Sequence, residues 1–82
     1  MKIYLISQTT NNDYDTYDSA VMCAPNEETA RNMNPRNGEP MTLKDWEETY
    51  SSWVCSPAQV IVEYIGETNR KQGLLLSSFN AG

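Results

Sequence analysis

Gln59 to Ile65, QVIVEYI, carries the strongest strand signal in the chain. Val60, Val62 and Tyr64 fall on one parity and Ile61, Glu63 and Ile65 on the other, and β-branched and aromatic residues favour a pleated surface. Lys2 to Gln8, KIYLISQ, has the same character, with Ile3 and Leu5 set against Tyr4 and Ile6. Strands that are apolar on both parities have no simple solvent face. Both segments are therefore expected as central strands, neighbours in the middle of one sheet.

The rest of the chain must fit around that pair. Ser19 to Ala24 is a strand of small apolar residues, stopped by Pro25. Asn26 can cap a helix whose first turn holds Glu27 and Glu28, where negative charge suits the helix dipole. That helix runs to about Met33, with Ala30 and Met33 facing the sheet, Arg31 and Asn32 outward, and Pro35 ending it. Thr42 and Asp45 have capping-box spacing, and Leu43, Trp46 and Tyr50 recur at helical spacing as a core stripe. Thr49, Ser51 and Ser52 weaken the end of that second helix, and Trp53 and Cys55 continue as an irregular segment to Pro57. Gly66 to Gly73 reads as a charged turn leading to a last strand, Leu74 to Phe79, as a hairpin. The expectation is α+β, an antiparallel four-stranded sheet of order β-β-α-(α)-β-β along the chain, with one or two short helices on one face. Residues 1–82 form a single domain at a size where one core leaves roughly 3–5 kcal/mol of margin.

Eleven acidic against six basic residues give a net charge of −5. The bases are scattered, so direct nucleic-acid binding and an anionic membrane are both disfavoured, and a basic protein surface suits better. Solubility alone also accounts for such a charge. Five Tyr and two Trp against one Phe favour half-wet positions and interfaces. Cys23 and Cys55 lack the spacing of a zinc or redox pair and read as buried thiols. With no basic segment leading into a long apolar run, a cytoplasmic setting in a bacterial host cell is expected.

The sequence contains no His, the commonest general base and metal ligand. It also has no glycine-rich phosphate loop and no nucleophile with a visible base, so no catalytic residue, metal or cofactor is expected. The Asp13 and Asp15 start resembles a calcium loop only superficially, because Asp18 and Ala24 stand where that loop needs Gly and Glu.

What remains is binding. Asp13, Tyr14, Asp15, Tyr17 and Asp18 form an acidic and aromatic run leading directly into a core strand, which suits a recognition loop held by a rigid element. The plain alternative is a solvated loop whose carboxylates cap turns and whose rings are core. A second arrangement uses Trp46, Trp53 or Tyr17 to stack a nucleobase and Arg31 or Arg36 to meet phosphate. A homodimer closing an open sheet edge is the third.

The strings YDTYDSAVMCA, EETAR before a proline, VEYIGET and the closing SSFNAG run through nearly the whole chain. In them the chain resembles a group of short phage, prophage and bacterial proteins sharing YDTYDSAV and SFNAG segments. The resemblance assigns no residue a role. It implies genomic company in which small acidic proteins act as stoichiometric inhibitors of host defence, anti-CRISPR proteins among them. Such an inhibitor would bind a host protein or nucleoprotein effector with a basic surface. A sponge for a small nucleotide signal and a homo-oligomeric interaction module are the other two expectations.

Overall fold

The computed structural model describes residues 1–11, 15–48, 52–54 and 56–80. Strands β1 (Lys2–Ser7), β2 (Thr16–Ala24), β3 (Ile61–Glu67) and β4 (Gly73–Asn80) form one antiparallel sheet in the order β3-β1-β2-β4. Helices α1 (Glu27–Arg31) and α2 (Leu43–Glu48) and a 3-10 turn at Pro57–Gln59 complete the α+β architecture. No helix among the described residues is long and apolar enough to cross a membrane.

Alternation along each strand divides the sheet into two unlike faces. Tyr4, Ile6, Ala20 and Met22 point to the face covered by α1 and the segments around it, where Ala30, Met33, Trp53, Val54 and Val60 complete a buried core. Asn26 caps α1 as its position implies, its side chain accepting from the Thr29 N–H at 2.8 Å. Ala30 and Met33 are both buried, but α1 ends at Arg31, short of the expected Met33, which instead sits in an isolated bridge to Pro40. Thr42 and Asp45 form the reciprocal capping box, at 2.9 and 3.1 Å.

β1 pairs with β3 as expected, but β3 is an edge strand, and the two central strands are β1 and β2. The expected hairpin of β3 with β4 does not form, since those strands hold opposite edges and β4 pairs with β2. Residues 68–72 cross the end of the sheet instead. Five extended residues reach about 17 Å, enough to pass three inter-strand spacings of ~4.8 Å. The crossing is tied to the chain start: Thr68 N–H donates to the Met1 carbonyl at 2.9 Å, and the Met1 amino group donates to the Thr68 carbonyl at 3.2 Å. The nine-residue β2 takes β4 on the flank that β1 leaves open.

Three further expectations are corrected. β2 begins at Thr16, so Thr16 to Asp18 belong to the strand, with Asp18 the extra residue of a bulge. Arg31 turns inward, where its guanidinium donates to the carbonyls of Pro57 and Val60 and joins α1 to the start of β3. Leu43 is 85% exposed and leaves the core stripe, because only Trp46 of the described pair packs against the core. Tyr50 and Cys55 lie outside the described residues, and Cys23 is a buried free thiol.

Candidate functional site

The start of β2 is fixed by groups that the sequence reading passed over. Gln8 is buried, and its carboxamide spans the β1–β2 connection. Nε2 donates to the carbonyls of Asn11 and Tyr17 at 2.6 and 2.9 Å, and Oε1 accepts the Asn11 N–H at 2.7 Å. Tyr17 N–H donates in turn to the Ser52 carbonyl at 2.7 Å. With both its backbone polar groups engaged, Tyr17 is held as firmly as a core residue although its ring is half-buried. Its ring meets Phe79 of β4 edge to face, with centroids 4.7 Å apart.

Opposite Tyr17 stands a tight turn built by asparagines. Asn34 Oδ1 accepts the Arg36 N–H and Asn37 Oδ1 accepts the Glu39 N–H, each at 2.9 Å, while Gly38 N–H donates to the Asn34 carbonyl at 2.7 Å. Short polar side chains of this kind replace backbone partners in turns. The turn presents Arg36 outward, and neither of the ion pairs among the described residues, Arg31 with Glu27 and Lys44 with Glu48, includes it.

Between this turn, β2 and α2 lies a cavity of about 230 Å³ lined by Tyr17, Asn34, Pro35, Arg36, Asn37, Asp45, Glu48, Ser52 and Trp53. A neighbouring cleft of about 280 Å³ shares Tyr17, Arg36 and Ser52 and adds Asp15 and Phe79. Trp53 is wholly buried, and its Nε1 has no hydrogen-bond partner.

The residues expected to bind thus separate. Asp15 and Asp18 are exposed beside Tyr17, with Asp15 in the left-handed conformation at φ 60°, whereas Asp13 and Tyr14 lie outside the described residues. Of the alternative set, Arg36 and Trp53 meet at the cavity, Arg31 is spent on the α1–β3 junction, and Trp46 packs half-buried on the core. Enclosure of the Trp53 ring leaves no open indole face on which a base could stack. Among the described residues no group of three or more His, Cys, Asp or Glu is placed to hold a metal ion.

The second face of the sheet is the largest feature that the sequence reading did not isolate. Cross-strand partners place Glu63, Leu5, Val21 and Leu76 in one row across all four strands. The adjacent rows are Gly66, Ile3, Cys23 and Gly73 on one side and Ile61, Ser7, Ser19 and Ser78 on the other. Leu76 is 67% exposed, and Ile61 and Ile65 are each 51% exposed. Glu63 is the only charge in these rows. The signal was present in the double parity of β1 and β3, which reflects one buried face and one open aliphatic face.

Comparison with protein-family models, curated proteins and solved structures finds no match to this chain.

Proposed function

We propose that this chain is a non-enzymatic binding protein that docks a partner protein on the open face of its sheet, in the manner of a phage-type stoichiometric inhibitor of a host defence nucleoprotein. One observation carries the reading: an aliphatic sheet face, Ile3, Leu5, Val21, Leu76 and Ile61, on which Leu76 and Ile61 are exposed and the other three half-buried, while the core cluster packs on the opposite face. With strands ~4.8 Å apart and ~3.3 Å per residue, the footprint is roughly 400 Å². Apolar patches of that size are frequently functional, and with its rim the face suits a transient rather than an obligate contact.

Charge selects the occupant. Glu63 lies in the central row, and Asp15 and Asp18 stand exposed at the sheet's end, so a partner offering an apolar patch bordered by Lys or Arg is complementary. A second copy of this chain would match the aliphatic rows but would bring another carboxylate and no cation to the face. The acidic and aromatic end at Asp15, Tyr17 and Asp18 then acts as a steering rim. A bacterial cytoplasmic setting belongs to the same reading.

The test is affinity capture from a bacterial lysate containing defence complexes, run in parallel with wild type and Leu76→Asp at two salt concentrations. One stoichiometric basic protein, weakened by salt and lost with Leu76→Asp, supports the reading. Retention of that protein by Leu76→Asp sinks it, as does a wild-type protein that only self-associates. A nucleotide retained without any protein would replace it with the sponge.

A further inference from the structure

We infer that this chain pairs with a second copy of itself along the outer edge of β4, an antiparallel seam that joins two sheets into one. The two edges of the sheet differ in composition. β3 carries Glu63 and Glu67 and a bulge at Ile65, and charges and bulges are the devices that keep an edge strand from recruiting another. β4 ends the opposite side of the sheet with the sequence GLLLSSFN, which holds no charge and no proline. Its own bulge, at Leu75, sits near its start, where Gly38 closes against Leu74. From Leu76 to Phe79 every residue has a partner on β2, and the outward side of this run has none of those devices. Leu76 is 67% and Phe79 46% exposed there.

The same lack of charge selects the occupant. Two copies at a net charge of −5 repel wherever their acidic surfaces meet. A seam along β4 sets no carboxylate of either strand against its copy, whereas a seam along β3 would gather Glu63 and Glu67 from both. The cleft beside Phe79 adds one group of each sign, Asp15 and Arg36. Residues opposite each other must share a face, so the two-fold axis falls on a residue, and Ser77 or Ser78 at the middle of the run crowds neither face. That axis stands normal to the sheet, which puts both open faces on one side and both helical layers on the other. The aliphatic face then doubles, from roughly 400 Å² to roughly 800 Å², the share that one partner contributes to an interface of standard size. The seam itself is a short run of main-chain hydrogen bonds, so the dimer forms reversibly. It rests on the β4 edge and not on the docking proposed for the open face.

Sedimentation velocity of the intact chain, over a concentration range reaching millimolar, tests the seam. A reversible shift from the 9.3 kDa monomer to twice that mass, and no further, is expected. Ser78→Lys and Ile61→Lys make the same change in charge at exposed positions of the open face, one on each edge strand. Ser78→Lys should weaken the dimer more than about tenfold, because it sets like charges together at the seam, whereas Ile61→Lys should leave it intact. In the wild type, amide exchange should slow with rising concentration in Leu76 to Phe79 and not in β3. If Ser78→Lys does not fold, that exchange decides. A protein that stays at monomer mass up to millimolar concentration overturns the proposal. So does a dimer lost with Ile61→Lys but not with Ser78→Lys, which would place the seam on β3, and so does one insensitive to both. Growth beyond two copies also overturns it, since a two-fold seam closes. All of these measurements use the isolated chain, so their outcome is independent of the capture experiment on the open face.

Discussion

Tyr17 and Phe79 stand directly opposite each other on β2 and β4, their ring planes inclined by 63°. The pair closes the end of the sheet just where the Asp18 bulge breaks the regular register. Such a bulge weakens the ladder locally, and a cross-strand aromatic contact restores attraction between the two strands there. The same Tyr17 lines both the cavity and the cleft beside it, so the contact also sets the position of a wall.

A double-mutant cycle isolates that contact from the burial of either ring. Tyr17→Leu, Phe79→Leu and the double variant should yield a coupling of about 0.5–1.5 kcal/mol in urea unfolding, the usual value of an edge-to-face pair beyond its buried area. Strict additivity would show that the rings are neighbours without mutual stabilisation.

Gly38 tests the turn that carries Arg36. Its φ of +76° lies in the left-handed region, and an added Cβ would sit 2.5 Å from the Leu74 backbone nitrogen and 2.9 Å from the Leu74 Cβ. Gly38→Ala therefore meets both backbone strain and a backbone clash, and a loss of about 2–4 kcal/mol is expected from urea unfolding. Leu74 packs against the core, so the damage should reach the β2–β4 pairing as raised amide exchange in Met22 and Cys23. A loss below about 0.5 kcal/mol, the size of an ordinary surface substitution, would mean that the turn is free to shift.

What the sequence reveals depends on the range of the physics. Asn26 and the Thr42–Asp45 box are local devices, legible because side chain and backbone partner lie within three residues. Existence of all four strands is similarly legible from alternation. Strand order is not, because β3 against β4 or β4 against β2 is decided by which edge remains unpaired after β1 has joined both neighbours. QVIVEYI reads as central since alternation records apolar residues on both parities but not whether the second face is covered. Helical spacing alone places Arg31 outward, while its partners, the Pro57 and Val60 carbonyls, lie 26 and 29 residues away. Arg36 and Trp53 were legible as residue types suited to a ligand, but only the fold brings them together at one cavity.

Arg31 yields a contrast between two of its own contacts. The ion pair with Glu27 at 3.7 Å joins a half-buried guanidinium to an exposed carboxylate, so Glu27→Gln should change stability by less than about 0.5 kcal/mol. The bonds to the Pro57 and Val60 carbonyls join α1 to the sheet edge, so Arg31→Met should cost about 1–3 kcal/mol. Arg31→Lys should recover only part of this, since one ammonium does not reproduce a planar fork of donors. Equal losses for Glu27→Gln and Arg31→Met would assign the work to the ion pair instead.

Glu63 offers the sharpest separation between binding and folding on the open face. It is exposed on an edge strand among Leu5, Val21 and Leu76, so Glu63→Lys should leave the urea midpoint nearly unchanged. The same substitution reverses the only charge in the three rows of described residues. Association with a basic partner should slow, with the largest effect at low salt, where a Debye length of about 30 Å at 0.01 M leaves steering intact. Asp18→Asn at the sheet's end should slow association in the same direction but less, because its carboxylate stands at the rim. Stopped-flow association rates at two ionic strengths measure both effects. Were Glu63→Lys to bind at the wild-type rate at low salt with its fold intact, the partner's basic groups would have to meet the protein elsewhere, and the row from Glu63 to Leu76 would lose its place as the docking surface.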